Sequence, residues 1–148
     1  MSRKDLPPTL KDRLPGDLRV TRQRSEVFDV LVGSCDHPTA SEVFMRVQTK
    51  APGTSLATVY NCLETLTGCG AINQIQVDRG PARYCANLAE HVHFHCVECG
   101  SVFDAPPRMP LEASSQWTLP KGARIQGVEV TLHGNCSSCS NSSEPSRS

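Results

Sequence analysis

Two C-x-x-C pairs, Cys96/Cys99 and Cys136/Cys139, constrain this chain more than any other feature of its sequence. Two such turns, each with two thiolates, supply the four ligands of a tetrahedral zinc site. The 36 residues between Cys99 and Cys136 exceed the ~15–20 of a usual zinc ribbon. We therefore predict a zinc ion that joins the start of a small β-α-β unit to its end. Four thiolates leave no open position for a substrate, so the predicted role is structural.

The alternative to zinc is a set of redox-active or incidental thiols. Eight cysteines in 148 residues would indicate disulfides in a secreted protein. The first residues contain no apolar signal segment, and no run approaches the ~18 apolar residues of a membrane span. We therefore expect a cytoplasmic protein without a membrane partner, in which C-x-x-C pairs favour zinc. The formal net charge is zero, so any argument for nucleic acid must be local.

The first half of the chain has the pattern of three helices followed by a hairpin. Thr21 is a suitable N-cap for a first helix, and Thr39–Glu42 has the form of a capping box that begins a second. Thr54 or Ser55 caps a third helix that ends near Gly68. Residues 72–85 then alternate in polarity on both sides of an Asp-Arg-Gly-Pro turn, which predicts a β-hairpin. This order is typical of a winged helix-turn-helix domain, whose third helix enters the major groove of DNA.

The second half reads as short strands over 91–96, 101–104 and 125–133, with the cysteine pairs at two strand ends. The predicted fold class is therefore α+β, a winged helix-turn-helix domain followed by a small α/β domain with a four-cysteine zinc site. The predicted organisation is a flexible arm over 1–18, a winged-helix domain over 19–85, a hinge over 86–90, a metal-binding domain over 91–140 and a disordered tail over 141–148.

A second group of possible metal ligands lies around the predicted hinge. No local motif links its members, and ordinary surface histidines are the alternative interpretation. Their location favours a metal, because one ion bound by the whole group would join the two halves and make their orientation depend on metal. We assign no ligand role to His95 or His133. The group is His37, Cys85, His91, His93 and Asp104.

Two segments are candidates for DNA contact. Arg19, Arg22 and Arg24 place three cations within six residues without an acid, which suits phosphates or a narrow minor groove; a solvated helix start is the alternative. The third helix carries small and polar groups suited to base edges. Packing in the core is an equally good interpretation of its tyrosine. The candidates on this helix are Ser55, Ala57, Thr58, Tyr60 and Asn61.

The chain resembles the ferric uptake regulator family of metal-dependent bacterial repressors over roughly residues 19–140. The motifs that carry the resemblance are the arginine segment 19–24, His37-Pro-Thr-Ala-Ser-Glu-Val-Phe44, Ser55-Leu-Ala-Thr-Val-Tyr60, Arg83-Tyr84, His91-x-His93-x-x-Cys96-x-x-Cys99-Gly100 and Gly134-x-Cys136-x-x-Cys139.

The resemblance implies a repressor without enzymatic activity or a small-molecule substrate. It implies that 91–140 is a dimerisation domain and that a homodimer binds a palindromic operator in double-stranded DNA. The four cysteines map onto the structural zinc of the family. The second group maps onto its regulatory site, whose divalent metal would be Fe²⁺, Mn²⁺ or Zn²⁺.

The branch of the family is less constrained by sequence. Asn61 after Tyr60, and the segment His37-Pro-Thr-Ala, look more like the peroxide-responsive branch. Cys85 stands where iron and peroxide regulators usually have Asp or Glu. A thiolate moves the preference toward zinc, so a zinc-uptake regulator that senses zinc through Cys85 is the alternative.

Two interpretations lie outside the repressor class. A zinc hydrolase that uses the histidines would need an open coordination position and a general base, and no catalytic motif accompanies Glu90 or Glu98. A zinc-bound adaptor that binds protein fits the low positive charge, whereas the winged-helix order and the arginine segment oppose it.

Overall fold

The computed structural model describes residues 9–110 and 116–142 of the chain. It divides into two compact units, with the boundary between Leu88 and Ala89. The first unit is mainly helical with a two-stranded sheet, and the second is built on a three-stranded sheet. The α+β fold class predicted from the sequence is confirmed.

Three helices form the body of the first unit, and each begins where a hydroxyl side chain caps it. They are α2 (Arg22–Val32), α3 (Ala40–Lys50) and α4 (Leu56–Gly68). The hydroxyls accept hydrogen bonds from backbone N–H groups near the helix starts, which otherwise have no partner inside the helix. The capping box predicted for α3 is present, and for α4 the cap is Ser55 rather than Thr54. The caps of α2, α3 and α4 are Thr21, Thr39 and Ser55.

The apolar stripes of these helices meet in one core. Residues three and four apart on a helix share a face, and burial of that face is the main stabilising contribution to helices of this length. Ala71 and Ile72, which directly precede the hairpin, and Tyr84 within it belong to the same cluster. The fully buried members from the helices include Val27, Phe28, Val43, Val47, Val59, Leu63 and Leu66.

The predicted hairpin is present as two short antiparallel strands, β1 (Asn73–Ile75) and β2 (Arg83–Cys85). Each strand is only three residues long, because the chain leaves the ladder for a long turn. Within that turn the side chain of Gln76 donates hydrogen bonds to the carbonyls of Asp78 and Gly80. The turn is therefore organised by side-chain contacts where strand pairing ends.

The described part of the segment predicted as a flexible arm contacts the helical body of the first unit. A short helix, α1 (Leu10–Arg13), places Leu10 in the core at 4% exposure. The guanidinium of Arg13 donates to the backbone carbonyls of Ala71 and Ala86 and lies 5.2 Å from the centre of the Phe28 ring. One apolar contact and one arginine thus attach the segment to the helical body. Residues 1–8 lie outside the described part.

The sheet of the second unit has the order β4-β3-β5. The central strand β3 (Val92–Cys96) pairs antiparallel with β4 (Val102–Ala105) and parallel with β5 (Thr131–Gly134). The first two strands were predicted with nearly these bounds. The third was predicted over 125–133, but its ladder with β3 begins only at Thr131, which pairs with His93.

The last element of the described part is helix α5 (Ser137–Ser142), which contains Cys139 and begins directly after Cys136. The predicted tail was expected to begin at residue 141, whereas the helix continues through Ser142; residues 143–148 lie outside the described part. Within residues 9–110 and 116–142, none of the helices has the length and apolarity that crossing a membrane requires.

Candidate metal centres and nucleic-acid interface

The four cysteines of the two C-x-x-C pairs come together in the second unit. Cys96 ends β3, Cys99 lies in the following turn, Cys136 precedes α5 and Cys139 lies within it. Their sulfur atoms all lie within 4.8 Å of one another. Pairing of Cys96 with Gly134 across β3 and β5 aligns the two turns, so the strand register brings the four sulfurs to one point.

The geometry of this cluster suits zinc. The sulfurs of Cys99 and Cys136 are 3.8 Å apart, and two thiolates bound to one zinc at ~2.3 Å with tetrahedral angles would be about 3.8 Å apart. Cys96 is fully buried, and its sulfur accepts a hydrogen bond from the backbone N–H of Cys136 at 3.3 Å. The four-cysteine cluster therefore fits a structural zinc site.

Hydrogen bonds to the sulfurs prepare this cluster for a cation. Backbone N–H groups, first that of Cys99 and then that of Cys136, lower the pKa of the Cys96 thiol to about 6. A hydrogen bond with the Ser101 hydroxyl lowers the pKa of Cys99. Contact with the neighbouring sulfurs, first Cys136, raises the pKa of Cys139 to about 12. Because crowded sulfurs cannot all carry negative charge without a cation, a metal would replace the proton of Cys139.

A second group in the same unit combines two imidazoles and a carboxylate. The Nε2 atoms of His91 and His93 are 3.1 Å apart, and they lie 3.2 Å and 3.6 Å from Oδ1 of Asp104. His93 and Asp104 face each other directly across β3 and β4. Nδ1 of His91 contacts the carbonyl of Ala89 at 2.6 Å; a proton on Nδ1 would leave the lone pair of Nε2 for a metal ion. Three of the predicted regulatory ligands are therefore arranged like metal ligands.

The other two predicted regulatory ligands, His37 and Cys85, meet in the first unit. A ring nitrogen of His37 and the sulfur of Cys85 lie within 4.8 Å of each other. Both residues are buried, with exposures of 3% and 6%. A buried imidazole beside a thiol can bind a soft or borderline metal ion such as zinc.

The backbone of His37 is held in an unfavourable conformation. Its φ angle is +54°, in the left-handed region that a non-glycine residue adopts only with support from its surroundings. Arg83 supplies part of that support through a hydrogen bond from Nη1 to the His37 carbonyl at 3.1 Å. The N–H of Tyr84 donates to the Pro38 carbonyl at 3.1 Å. Strand β2 therefore holds the loop that carries His37 and also carries Cys85.

An ion pair fixes the other side of this loop. Nη1 and Nη2 of Arg46 on α3 contact the two carboxylate oxygens of Asp36 at 2.9 Å and 2.6 Å, and Nη1 also contacts Ser34 Oγ at 2.9 Å. This two-point contact lowers the pKa of Asp36. No sequence pattern indicates a role for Arg46, and Arg83 stands out only as part of the Arg83-Tyr84 motif. Neither partner is near its arginine in sequence, so no local pattern indicates these contacts.

Helix α4 presents a polar face to solvent. Ser55, Ala57 and Asn61 are exposed, and Tyr60 is 49% exposed, which excludes the alternative in which it packs in the core. Thr58 is half-buried, and its hydroxyl lies 2.9 Å from that of Ser55. The buried side of the helix carries its apolar residues. The exposed face is therefore suited to contact with an external surface such as a DNA groove.

The three arginines before and within α2 differ in their surroundings. Arg19 and Arg22 are exposed, whereas Nη1 of Arg24 donates to the carbonyl of Arg19 at 2.7 Å. Arg22 and Thr58 line the same surface cleft, so a cation of α2 lies beside the start of α4. Arg24 is used to fix the backbone at the start of the helix, and Arg22 is the better candidate for a phosphate contact.

Comparison with known proteins gives consistent matches. The profile of the Ferric uptake regulator family matches residues 16–133. The peroxide operon regulator of Bacillus subtilis is 26% identical over 140 residues, which cover 95% of this chain and 97% of the relative. A peroxide-responsive repressor of Staphylococcus epidermidis is 32% identical over 124 residues, or 82% of this chain and 81% of the relative.

Solved structures give the same result for the fold. The ferric uptake regulator from Francisella tularensis, described with iron, superposes with a TM-score of 0.70 at 24% identity, over 86% of this chain and 98% of that chain. The peroxide stress regulator of Campylobacter jejuni superposes with a TM-score of 0.63 at 27% identity, over 79% of this chain and 88% of that chain.

Proposed function

Because the chain belongs to the ferric uptake regulator family, we propose that it is a cytoplasmic, homodimeric repressor whose binding to operator DNA depends on a divalent metal. The matched relatives are transcriptional regulators, and the chain is not an enzyme. We further propose that it responds to peroxide. Two peroxide regulators among its relatives support that choice.

The observation that carries the proposal is the convergence of His91, His93 and Asp104, whose ligand atoms lie 3.1–3.6 Å apart. These distances suit ligands of one ion with bonds of ~2.1 Å. We propose that His37 and Cys85 bind the same ion and that Fe²⁺, Mn²⁺ or Zn²⁺ occupies the site. A metal bound by groups from both halves would favour the arrangement of the domains that fits DNA.

Operator recognition is assigned to the exposed face of α4. Asn61 has the donor and acceptor atoms that read adenine, and Ala57 or Tyr60 can contact thymine methyl groups. Arg19 and Arg22, both exposed, would contact phosphates. A two-fold symmetric dimer would place two such helices on a palindromic site in double-stranded DNA.

The proposed dimer surface is the face of the sheet opposite the histidines. Phe94 pairs with Phe103 on one side and Leu132 on the other, and the latter two are 44% and 46% exposed. A cross-strand apolar group left exposed on a sheet face is typical of an interaction surface. Phe103→Asp is expected to shift the protein toward monomer in sedimentation, whereas Val97→Asp, an exposed substitution in the cysteine turn, is expected to leave assembly unchanged.

The central test measures operator affinity with and without the second metal. Protein that retains the zinc of its cysteines is titrated with genomic fragments of its source, before and after addition of Fe²⁺ under anaerobic conditions, Mn²⁺ or Zn²⁺. Coupling of about 1–3 kcal/mol would strengthen DNA binding ~5–150-fold. His93→Ala should remove the response and keep the cysteine zinc. An operator affinity that stays the same after addition of each of these metals would contradict the proposal.

A zinc-sensing function is the second candidate, because Cys85 is buried and its sulfur lies within 4.8 Å of a ring nitrogen of His37. As a thiolate, Cys85 would favour zinc. The two functions differ after treatment of the iron form with peroxide. A lasting gain of one oxygen on His37 or His91 in mass spectrometry supports peroxide sensing. No gain, together with loss of zinc-dependent DNA binding in Cys85→Ala, supports zinc sensing.

A further inference from the structure

A pair of histidines in the second unit belongs to neither group of ligands already described. His95 on β3 and His133 on β5 are direct partners in the parallel strand pair. Their Nδ1 atoms are 3.4 Å apart and their rings are nearly perpendicular, at 87°. Side chains at paired positions of adjacent strands project from the same face of a sheet, so both imidazoles lie on one face.

The separation of the two nitrogens suits a shared metal better than a hydrogen bond. At 3.4 Å they are farther apart than the ~2.7–3.2 Å typical of a hydrogen bond from a ring N–H. Two imidazole nitrogens bound at ~2.0–2.1 Å with tetrahedral angles would be about 3.3–3.4 Å apart. The spacing is therefore that of two ligands of one tetrahedral ion.

The pair uses no ligand of the zinc cluster. His95 immediately precedes Cys96, so its side chain projects from the opposite face of β3. His133 precedes Cys136 by three residues. Zinc bound to the cysteines would fix the ends of β3 and β5 against each other, which would also fix the two imidazoles at their observed separation. The histidine pair is thus preorganised by the neighbouring structural site.

We propose that His95 and His133 form a further, exchangeable site for a divalent d-block ion such as zinc. Imidazole nitrogen suits zinc, copper and nickel better than magnesium or calcium. With two protein ligands, water fills the remaining positions, so the site binds more weakly than one with three or more protein ligands. This inference does not depend on the proposed repressor function.

The test counts zinc equivalents on the full-length protein that already holds zinc at its cysteines. Titration against a chromophoric chelator is expected to show two exchangeable equivalents in the unaltered protein and one fewer in His133→Gln. The double variant His95→Gln/His133→Gln should lose no more than the single one, because removal of either imidazole destroys a two-ligand site. Glu129→Gln, an exposed change in the same segment, should lose nothing.

Nitrogen chemical shifts give a second readout that does not depend on stoichiometry. The Nδ1 resonances of His95 and His133 should shift together when the more weakly bound equivalent of zinc is added. His133→Cys keeps a metal ligand and should restore the lost equivalent, which separates loss of a ligand from loss of folding. The proposal is overturned if His133→Gln binds as many equivalents as the unaltered protein. If the proposed regulatory site does not bind zinc, the unaltered protein should still bind one exchangeable equivalent. His133→Gln should then bind none.

Discussion

Arg83 donates a hydrogen bond from Nη1 to the backbone carbonyl of His37 over 3.1 Å, and two residues later the same strand provides Cys85. Alternate residues of a strand share a face, so β2 both supports the strained loop and supplies the neighbouring thiol. Arg83 therefore acts as a positioning residue for the proposed regulatory site.

We expect Arg83→Ala to weaken binding of the second metal by about 10–100-fold, as loss of residues that orient metal ligands commonly does. Calorimetry of metal binding to zinc-loaded protein measures the effect. Arg79→Ala, a change in the exposed turn of the same hairpin, is the matched control and should bind normally. Equal affinity in both variants would show that the loop holds His37 without Arg83.

Removal of one cysteine of the four-sulfur cluster should abolish zinc binding there. Cys136→Ser removes a ligand and the alignment of the two turns, and structural zinc supplies folding free energy directly. We expect the second unit to unfold at least ~10 °C lower, since ~1 kcal/mol shifts the midpoint of a small domain by several degrees. Cys35→Ser, an exposed cysteine outside the described clusters, should retain zinc and stability in metal analysis and calorimetry.

Substitutions on the exposed face of α4 should weaken DNA binding without destabilising the protein. Asn61→Ala is expected to cost about 1–3 kcal/mol with operator fragments, the usual cost of a lost base contact. Fluorescence anisotropy measures this affinity. Met45→Ala, on a residue of α3 that is 67% exposed, should bind as the unaltered protein does. A loss confined to Met45→Ala would place the interface elsewhere.

Arg22→Ala should reduce the salt dependence of DNA binding. Loss of one phosphate contact reduces the slope of log affinity against log salt by about 1 and weakens all sequences alike. Arg24→Ala should instead lower thermal stability, because Nη1 of Arg24 holds the Arg19 carbonyl at 2.7 Å. Titrations at several salt concentrations separate the two effects. An unchanged slope in Arg22→Ala would remove Arg22 from the interface.

The Asp36–Arg46 pair should produce a small pH-dependent contribution to stability. Its hydrogen bonds lower the pKa of Asp36 in the folded state, so the contribution is present above the ordinary carboxyl pKa of ~3.9 and is lost as the pH falls through the folded value. Because both side chains are partly exposed, Asp36→Asn should cost under about 1 kcal/mol at neutral pH. Denaturant titrations at neutral and strongly acidic pH measure the difference, which should disappear in acid.

The sequence predicted those features whose signals are local. Thr21, Thr39 and the serine before α4 cap helices because a hydroxyl at that position satisfies N–H groups within three residues. The C-x-x-C spacing likewise describes a short turn. From these local features, the helix starts, the fold class and the four-cysteine cluster were predicted close to where the structure has them.

The features that the sequence did not predict depend on partners far along the chain. The left-handed conformation of His37 is supported by an arginine 46 residues away. The burial of Leu10 depends on the core of the first unit. The bounds of β5 depend on its pairing with β3, whose residues lie 38 positions earlier in the chain. No window of neighbouring residues contains these constraints.

The parallel pairing of β3 with β5 has a consequence for the order in which the protein is made. The pair joins His95 to a residue 38 positions later, and closing a chain segment of that length carries an entropy cost before any contact offsets it. During synthesis the helical unit is complete while the second cysteine pair has not yet been translated. The nascent second unit thus lacks half of the four-sulfur cluster until Cys136 and Cys139 emerge, so one zinc ion could be held by all four sulfurs only at that late stage.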